Sequence, residues 1–210
     1  MYAVSLISRF MENPTTMHLL GAKRILRYLQ GTKDFGLFFK RDSKSDLIGL
    51  TDSDYAGDLD GRRSTSGYVF MLGTGAGSWC SKKQPIVTLS STEAEFVAAT
   101  ACACQAIWLR RILKEMQFKL SNATIIFCDN NSTIKLSKNP VLHGRSKHID
   151  VKYYFLRDLC KDGAIELKYC RSGDQLADIF TKPLRLLPFQ NLRRLMGIGT
   201  MEEFSKLNLN

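Results

Sequence analysis

From Thr15 to Gln30 the chain reads TTMHLLGAKRILRYLQ, which sets Leu19, Leu20, Ala22, Ile25, Leu26 and Leu29 on one stripe and Lys23, Arg24 and Arg27 opposite. That spacing predicts an amphipathic helix, preceded by Asn13-Pro14 and stopped at Gly31. It has an apolar face and no evident core of its own, so it requires a surface to pack on. After the polar run Lys40–Ser45, three strand-like segments come in quick succession: Asp46–Asp52, Ser66–Leu72 and Ala76–Lys82. Gly57, Gly61, Gly73, Gly75 and Gly77 supply turns, and the short connections predict an antiparallel meander.

Further on, the period changes. Thr88 to about Phe118 predicts a long helix. Ser90 with Glu93 is one capping box for its start, and Thr92 with Glu95 is a competing register. Thr124–Asp129, TIIFCD, predicts a buried strand ending in a carboxylate. Asn130–Ser137 and Ile149–Lys161 predict helices, Ala164–Cys170 alternates as a strand, and Asp174–Lys182 predicts a last helical turn or two closed by Pro183. The order β-β-β-α-β-α-α-β-α predicts an α/β fold with a mixed five-stranded sheet flanked by helices and an N-terminal helical appendage. The divisions are residues 1–45 (appendage), 46–184 (main domain) and 185–210 (tail), the last with an amphipathic patch at Phe189–Met196.

Composition narrows the class. The chain has 210 residues, 44% hydrophobic and 24% charged, as expected for one globular domain plus an appendage. No run of about 18 apolar residues predicts a membrane span, and the N-terminus, MYAVSLISRFMENP, does not read as a signal peptide. The six cysteines form no C-x-x-C pair and, with only His18, His143 and His148 beside them, do not suggest a zinc site. They are expected to be reduced. The net charge of +10 favours a polyanion, nucleic acid first. That charge is uneven: residues 46–120 carry 8 basic and 8 acidic side chains, whereas 1–45 carry 8 and 3.

Within the neutral section, DLIGLTDSDYAGDLD holds five aspartates in fifteen residues. Taken with the other acids at element ends, it suggests a site. Asp52 ends the first main strand, Glu95 lies early in the long helix, Asp129 ends the fourth strand and Asp178 lies in the last helix. If the first and fourth strands are neighbours, the four carboxylates meet. Such a cluster is tolerable when cations neutralise it, and hard oxygen ligands suit Mg²⁺ or Mn²⁺. Two such ions about 4 Å apart are a means of phosphodiester cleavage.

The segments TDSDYAGD, STSGYVFMLG, WCSKKQPIVTLSSTEAEFVA, FCDNNSTI, SKHIDVKYYFLRD and LADIFTKPL occur in that order from about Leu47 to Leu184. They resemble the ribonuclease H domain of copia-type LTR retrotransposon Pol polyproteins. Residues 1–45 resemble the end of the reverse transcriptase region that precedes it. The resemblance implies a ribonuclease H-like fold and cleavage of the RNA strand of RNA–DNA hybrids during reverse transcription. It also implies the reverse transcriptase domain as a partner and an intracellular setting, in a cytoplasmic virus-like particle or the nucleus. Carried over by motif, the catalytic and metal-binding residues are Asp52, Glu95, Asp129 and Asp178, holding two Mg²⁺ or Mn²⁺ ions. Asp52 bridges both ions, Glu95 and Asp129 hold the leaving side, and Asp178 helps hold the ion that activates water. This favours the Ser90 capping register.

One departure stands out. Cellular ribonuclease H enzymes often carry a histidine shortly before the last aspartate, and KYCRSGDQLAD, from Lys168 to Asp178, has none. His143 and His148 in HGRSKHID are candidates for proton transfer in its place. Candidates for contact with nucleic acid are the small polar Ser53, Ser91, Thr92 and Asn130, and the cations Arg62, Arg63, Lys82, Lys83, Arg145 and Lys147. Asp54, Asp58 and Asp174 are read as structural or solvated. Two rivals remain. One is an integrase-type nuclease using Asp52, Asp129 and Glu166, the glutamate lying 37 residues after Asp129 in an alternating strand. The other is an inactive remnant that only binds nucleic acid.

Overall fold

The computed structural model describes residues 1–41, 46–118, 120, 122–138 and 150–205. Strands β2 (Leu47–Ser53), β3 (Thr65–Leu72) and β4 (Gly75–Lys83) form the antiparallel meander expected from the glycine-punctuated pattern. Helix α3 (Ser91–Glu115) then crosses back, so β5 (Thr124–Cys128) pairs parallel with β2, placing Ile48 opposite Ile125 and Leu50 opposite Phe127. After α4 (Asn131–Lys138) and α5 (Asp150–Lys161), β6 (Ile165–Tyr169) adds parallel to β5. The sheet order is β4-β3-β2-β5-β6, a mixed five-stranded sheet as the element order predicts. Because β2 and β5 run parallel as neighbours, their C-terminal ends share one edge.

The two faces of the sheet bury separate cores, as the alternation of side chains along each strand requires. On one face, Phe70, Ile126, Ile165 and Leu167 meet Phe96, Ala99, Cys102, Ala103 and Ala106 of α3 and Leu156 of α5. By length and composition α3 is apolar enough to cross a membrane, but here much of it is buried against the sheet. Its start follows the Ser90 register: Ser90 Oγ accepts the Glu93 amide at 3.2 Å, and the Glu93 carboxylate accepts the Leu89 amide at 2.8 Å.

On the other face, Leu50, Val69, Met71 and Ala76 meet Leu176, Ala177 and Phe180, together with Leu192 and Met196. The last two belong to α6 (Leu186–Leu195) and the residue that caps it. The segment expected as a short helix, Asp174–Lys182, is instead two 3-10 turns, Ser172–Asp174 and Leu176–Phe180. Gln175 between them is extended, and it is wholly buried, donating from Nε2 to the Thr51 carbonyl at 2.9 Å.

The two ends of the chain meet. Helices α1 (Tyr2–Ser8) and α2 (Thr16–Gln30) pack on each other. A two-residue strand β1 (Gly36–Leu37) pairs antiparallel with β7 (Ile198–Gly199), just before α7 (Met201–Ser205). Phe38 stacks with Phe204 at 4.4 Å, and the Arg193 guanidinium lies 4.3 Å over the Phe35 ring. Residues of the appendage therefore lie on the tail, and the tail on the sheet. The α2 stripe stays largely open, with Leu19, Leu20, Leu26 and Leu29 each more than half exposed.

Candidate active site

Asp52 is the last-but-one residue of β2, on the face occupied by the second core, and is 2% exposed. One of its carboxylate oxygens, Oδ2, accepts the Thr181 hydroxyl and has the Lys182 ammonium at 3.6 Å. The same ammonium lies 3.0 Å from Asp178 Oδ1. Glu95 enters from the first turns of α3, its Oε1 accepting the Ser53 amide at 3.3 Å and its Oε2 lying 3.9 Å from the Cys128 sulfur. Asp129 follows β5 and accepts the Ser172 hydroxyl at 3.0 Å. Glu95, Cys128 and Asp129 each offer a ligand atom within 4.8 Å of the others. Four elements distant in sequence thus deliver four carboxylates to the shared C-terminal edge of β2 and β5.

Crowding shows in the acidities. Burial first, then the charges of Asp52 and Asp129, push Glu95 up to about 9. Burial and Asp52 push Asp178 up to about 6, against the pull of Lys182. Burial pulls Lys182 down, but Asp52 and Asp178 outweigh it and its pKa is raised. Asp178 Oδ1 is buried, with the Lys182 ammonium as its partner among the described contacts. Carboxylates that repel one another and converge from four elements suit hard divalent cations. Cys128 is a soft neighbour in this set, and burial raises its thiol well above the ordinary range, which keeps it neutral.

Comparison with known proteins follows the same lines. No protein-family model matches the chain. The Retrovirus-related Pol polyprotein from transposon RE2 of Arabidopsis thaliana is 42% identical over 197 residues, covering 94% of this chain and 14% of that protein. That from transposon TNT 1-94 of Nicotiana tabacum is also 42% identical over 197 residues, covering 94% and 15%. Relatives at 42% identity over 94% of the chain are thus copia-type Pol polyproteins. The chain spans about a seventh of these relatives' length. Among solved structures, the N-terminal RNase H domain of a Mycobacterium tuberculosis protein aligns with a TM-score of 0.48 and 12% identity, over 70% of this chain and 99% of that one.

The other candidate residues are placed as follows. The Ser53 hydroxyl is buried, donating to the carbonyls of Asp54 (2.9 Å) and Thr65 (3.3 Å) and accepting from Gln84 (3.2 Å). Ser91 is exposed and Thr92 half-buried at the start of α3. Asn130 Oδ1 accepts the Thr133 amide at 3.0 Å, capping α4. Arg62, Arg63 and Lys82 are exposed, whereas Lys83 is paired with Asp58 at 2.5 Å. His143, Arg145, Lys147 and His148 lie outside the described residues.

The second-rank acids separate from the cluster. Asp58 is buried and bound by Lys83, by the Gly61 amide and by Arg9 at 3.6 Å; the hydrogen bond from Lys83 outweighs burial and holds its pKa below the usual carboxylate range. Asp54 accepts the Thr65 amide, and Asp174 is exposed. Glu166 is exposed in β6, paired with Lys168 at 3.2 Å.

Reading the sequence missed four residues that shape the centre: Cys128, Ser172, Thr181 and Lys182. For the last two there was a signal, since TK directly follows ADIF and puts a hydroxyl and a cation three and four residues beyond Asp178.

Proposed function

We propose that this segment is a metal-dependent endonuclease that hydrolyses the RNA strand of RNA–DNA hybrids. The observation that carries the reading is the convergence of Asp52, Glu95, Asp129 and Asp178 on one strand edge of a basic chain with copia-type Pol relatives. These four would hold two Mg²⁺ or Mn²⁺ ions, which when bound supply Lewis acidity to polarise a water and to stabilise the departing oxygen.

The chain's own groups fix the arrangement. Thr181 orients Asp52, the Ser53 amide orients Glu95, and the Ser172 hydroxyl orients Asp129. Each such bond holds a lone pair in place and limits the rotation of a carboxylate that must present its other lone pairs outward. Outside the centre, the exposed Arg62, Arg63 and Lys82 are suited to phosphate contacts along a hybrid, and Ser91 and Thr92 lie at the helix start beside Glu95. Binding of this kind weakens with salt, as each phosphate contact releases counterions. The reverse transcriptase region of the polyprotein is the partner that would deliver the hybrid.

The test is cleavage of a labelled RNA–DNA hybrid in Mg²⁺ or Mn²⁺. Asp129→Asn keeps the shape and the Ser172 contact but loses a charged ligand. It should lower cleavage by about a hundredfold or more while far-UV circular dichroism stays unchanged, a loss of about 2.7 kcal/mol of transition-state stabilisation. Folded wild-type protein that leaves the hybrid intact with either ion, yet retards it on a gel, would favour the nucleic-acid-binding remnant instead.

A further inference from the structure

Lys182 pairs with two of the four carboxylates. Its ammonium lies 3.0 Å from Asp178 Oδ1 and 3.6 Å from Asp52 Oδ2, whereas Glu95 and Asp129 gather as a second group of ligand atoms within 4.8 Å of one another. The carboxylates are anchored: Asp52 is 2% exposed and bound by the wholly buried Thr181, and the Asp178 side chain is 10% exposed. The lysine is not, with 40% of its side chain open to solvent. Its backbone is nevertheless held, the Lys182 amide donating to the Asp178 carbonyl at 3.2 Å. A tethered cation on a flexible stem therefore sits where two rigid carboxylates face each other. An ammonium and a divalent ion repel when they share these oxygens, so the two compete for the place.

We propose that Lys182 is the centre's own counter-cation: its ammonium fills the Asp52–Asp178 side, a first divalent ion is held on the Glu95–Asp129 side, and a second enters only by expelling the ammonium into solvent. The proposal rests on the metal-centre reading above and adds a rule for filling it. The lysine sets the affinity of the second ion, and it keeps the metal-free centre from carrying its full negative charge. A four-carbon stem reaching from an exposed position is suited to such a swing, and Lys is a compact point charge that exchanges readily with a hydrated ion.

The experiment counts Mn²⁺ bound to the whole 210-residue chain, by the paramagnetic resonance signal of the free ion and by calorimetry. Wild type should show two affinities at least about tenfold apart. Lys182→Met keeps the stem and removes the charge; it should tighten the weaker site by about tenfold and bring the two affinities together. Lys182→Arg keeps the charge and should retain the wild-type gap. Thermal melts supply a second reading: Lys182→Met should melt lower than wild type in EDTA, and Mn²⁺ should raise its melting temperature by more. Equal affinities in wild type, or a weaker site that Lys182→Met leaves unchanged or loosens, would overturn the proposal alone and leave the metal centre standing. Folded wild type and variant that bind no Mn²⁺ at all would overturn both.

Discussion

At the scale of single residues, the metal-free centre couples folding to pH. Glu95 is raised from 4.5 to about 9 and Asp178 from 3.8 to about 6, in both cases chiefly by burial. Each holds a proton more tightly folded than unfolded. Stability is therefore greatest below the unfolded values and falls as pH rises, through Asp178 up to about 6 and through Glu95 up to about 9. In EDTA, the melting temperature should decline between about pH 5 and pH 9. Glu95→Gln should flatten most of that slope and melt above wild type at the alkaline end, where wild type carries an uncompensated buried charge. A wild-type profile as flat as the variant's would refute the coupling. The four acids were legible because each stands at the end of an apolar run or one turn into a helix, where a carboxylate serves no core. Ser172 and Cys128 were not, because a hydroxyl or thiol gains its role only from the neighbour that the fold supplies.

Among elements, the 3-10 turn Leu176–Phe180 is the piece on which the centre depends and the one the sequence described least well. Its apolar positions, Leu176, Ala177 and Phe180, fit an α-helix as well as a tighter turn, and a stretch this short has little helical preference of its own. Tertiary contact decides. In the β2–β3 register Gly67 lies opposite Asp52, and a Cβ there would come within 2.8 Å of Phe180 Cβ and Thr181 Cγ2 and 3.1 Å of the Ala177 carbonyl. The missing side chain is what lets the turn lie flat on β3 and bring Thr181 and Lys182 to Asp52. Gly67→Ala should cost about 1–3 kcal/mol by overpacking, a fall of roughly 2–12 °C in melting temperature. Hybrid cleavage should drop along with it, because Asp178 and Thr181 are displaced. Unchanged stability would show that the turn yields freely.

For the molecule as a whole, the C-terminal segment belongs to the second core. Leu192 and Met196 are 4% and 3% exposed against Leu50, Val69, Met71 and Ala76, and the amide of Ala76 donates to the Met196 carbonyl at 3.0 Å. Leu192→Ala should therefore destabilise by about 2–5 kcal/mol, measured by urea unfolding; a cost under about 0.5 kcal/mol, the size of a surface change, would mean the segment is only laid against the sheet. The other end is tied in by Arg9, which donates to Thr65 Oγ1 at 3.2 Å and pairs with Asp58 in the loop that follows β2. The upstream region is thus joined to the loop next to Asp52. The leucines of α2 remain exposed apolar surface on this appendage.

Local pattern alone determined the strands of the main sheet, the long helix with Ser90 as one candidate cap, and the four acids at element ends. Those features follow from side-chain period and from hydrogen bonds between residues three or four apart, which are written in adjacent positions. Only the tertiary structure decided that the last turn is 3-10, that Leu192 and Met196 close a core, and that Lys182 stands between Asp52 and Asp178. Each of these depends on contacts between residues far apart in the chain or on which of several local forms buries best. Even the i,i+4 pair of Asp178 and Lys182 acquires its meaning from Asp52, more than a hundred residues away.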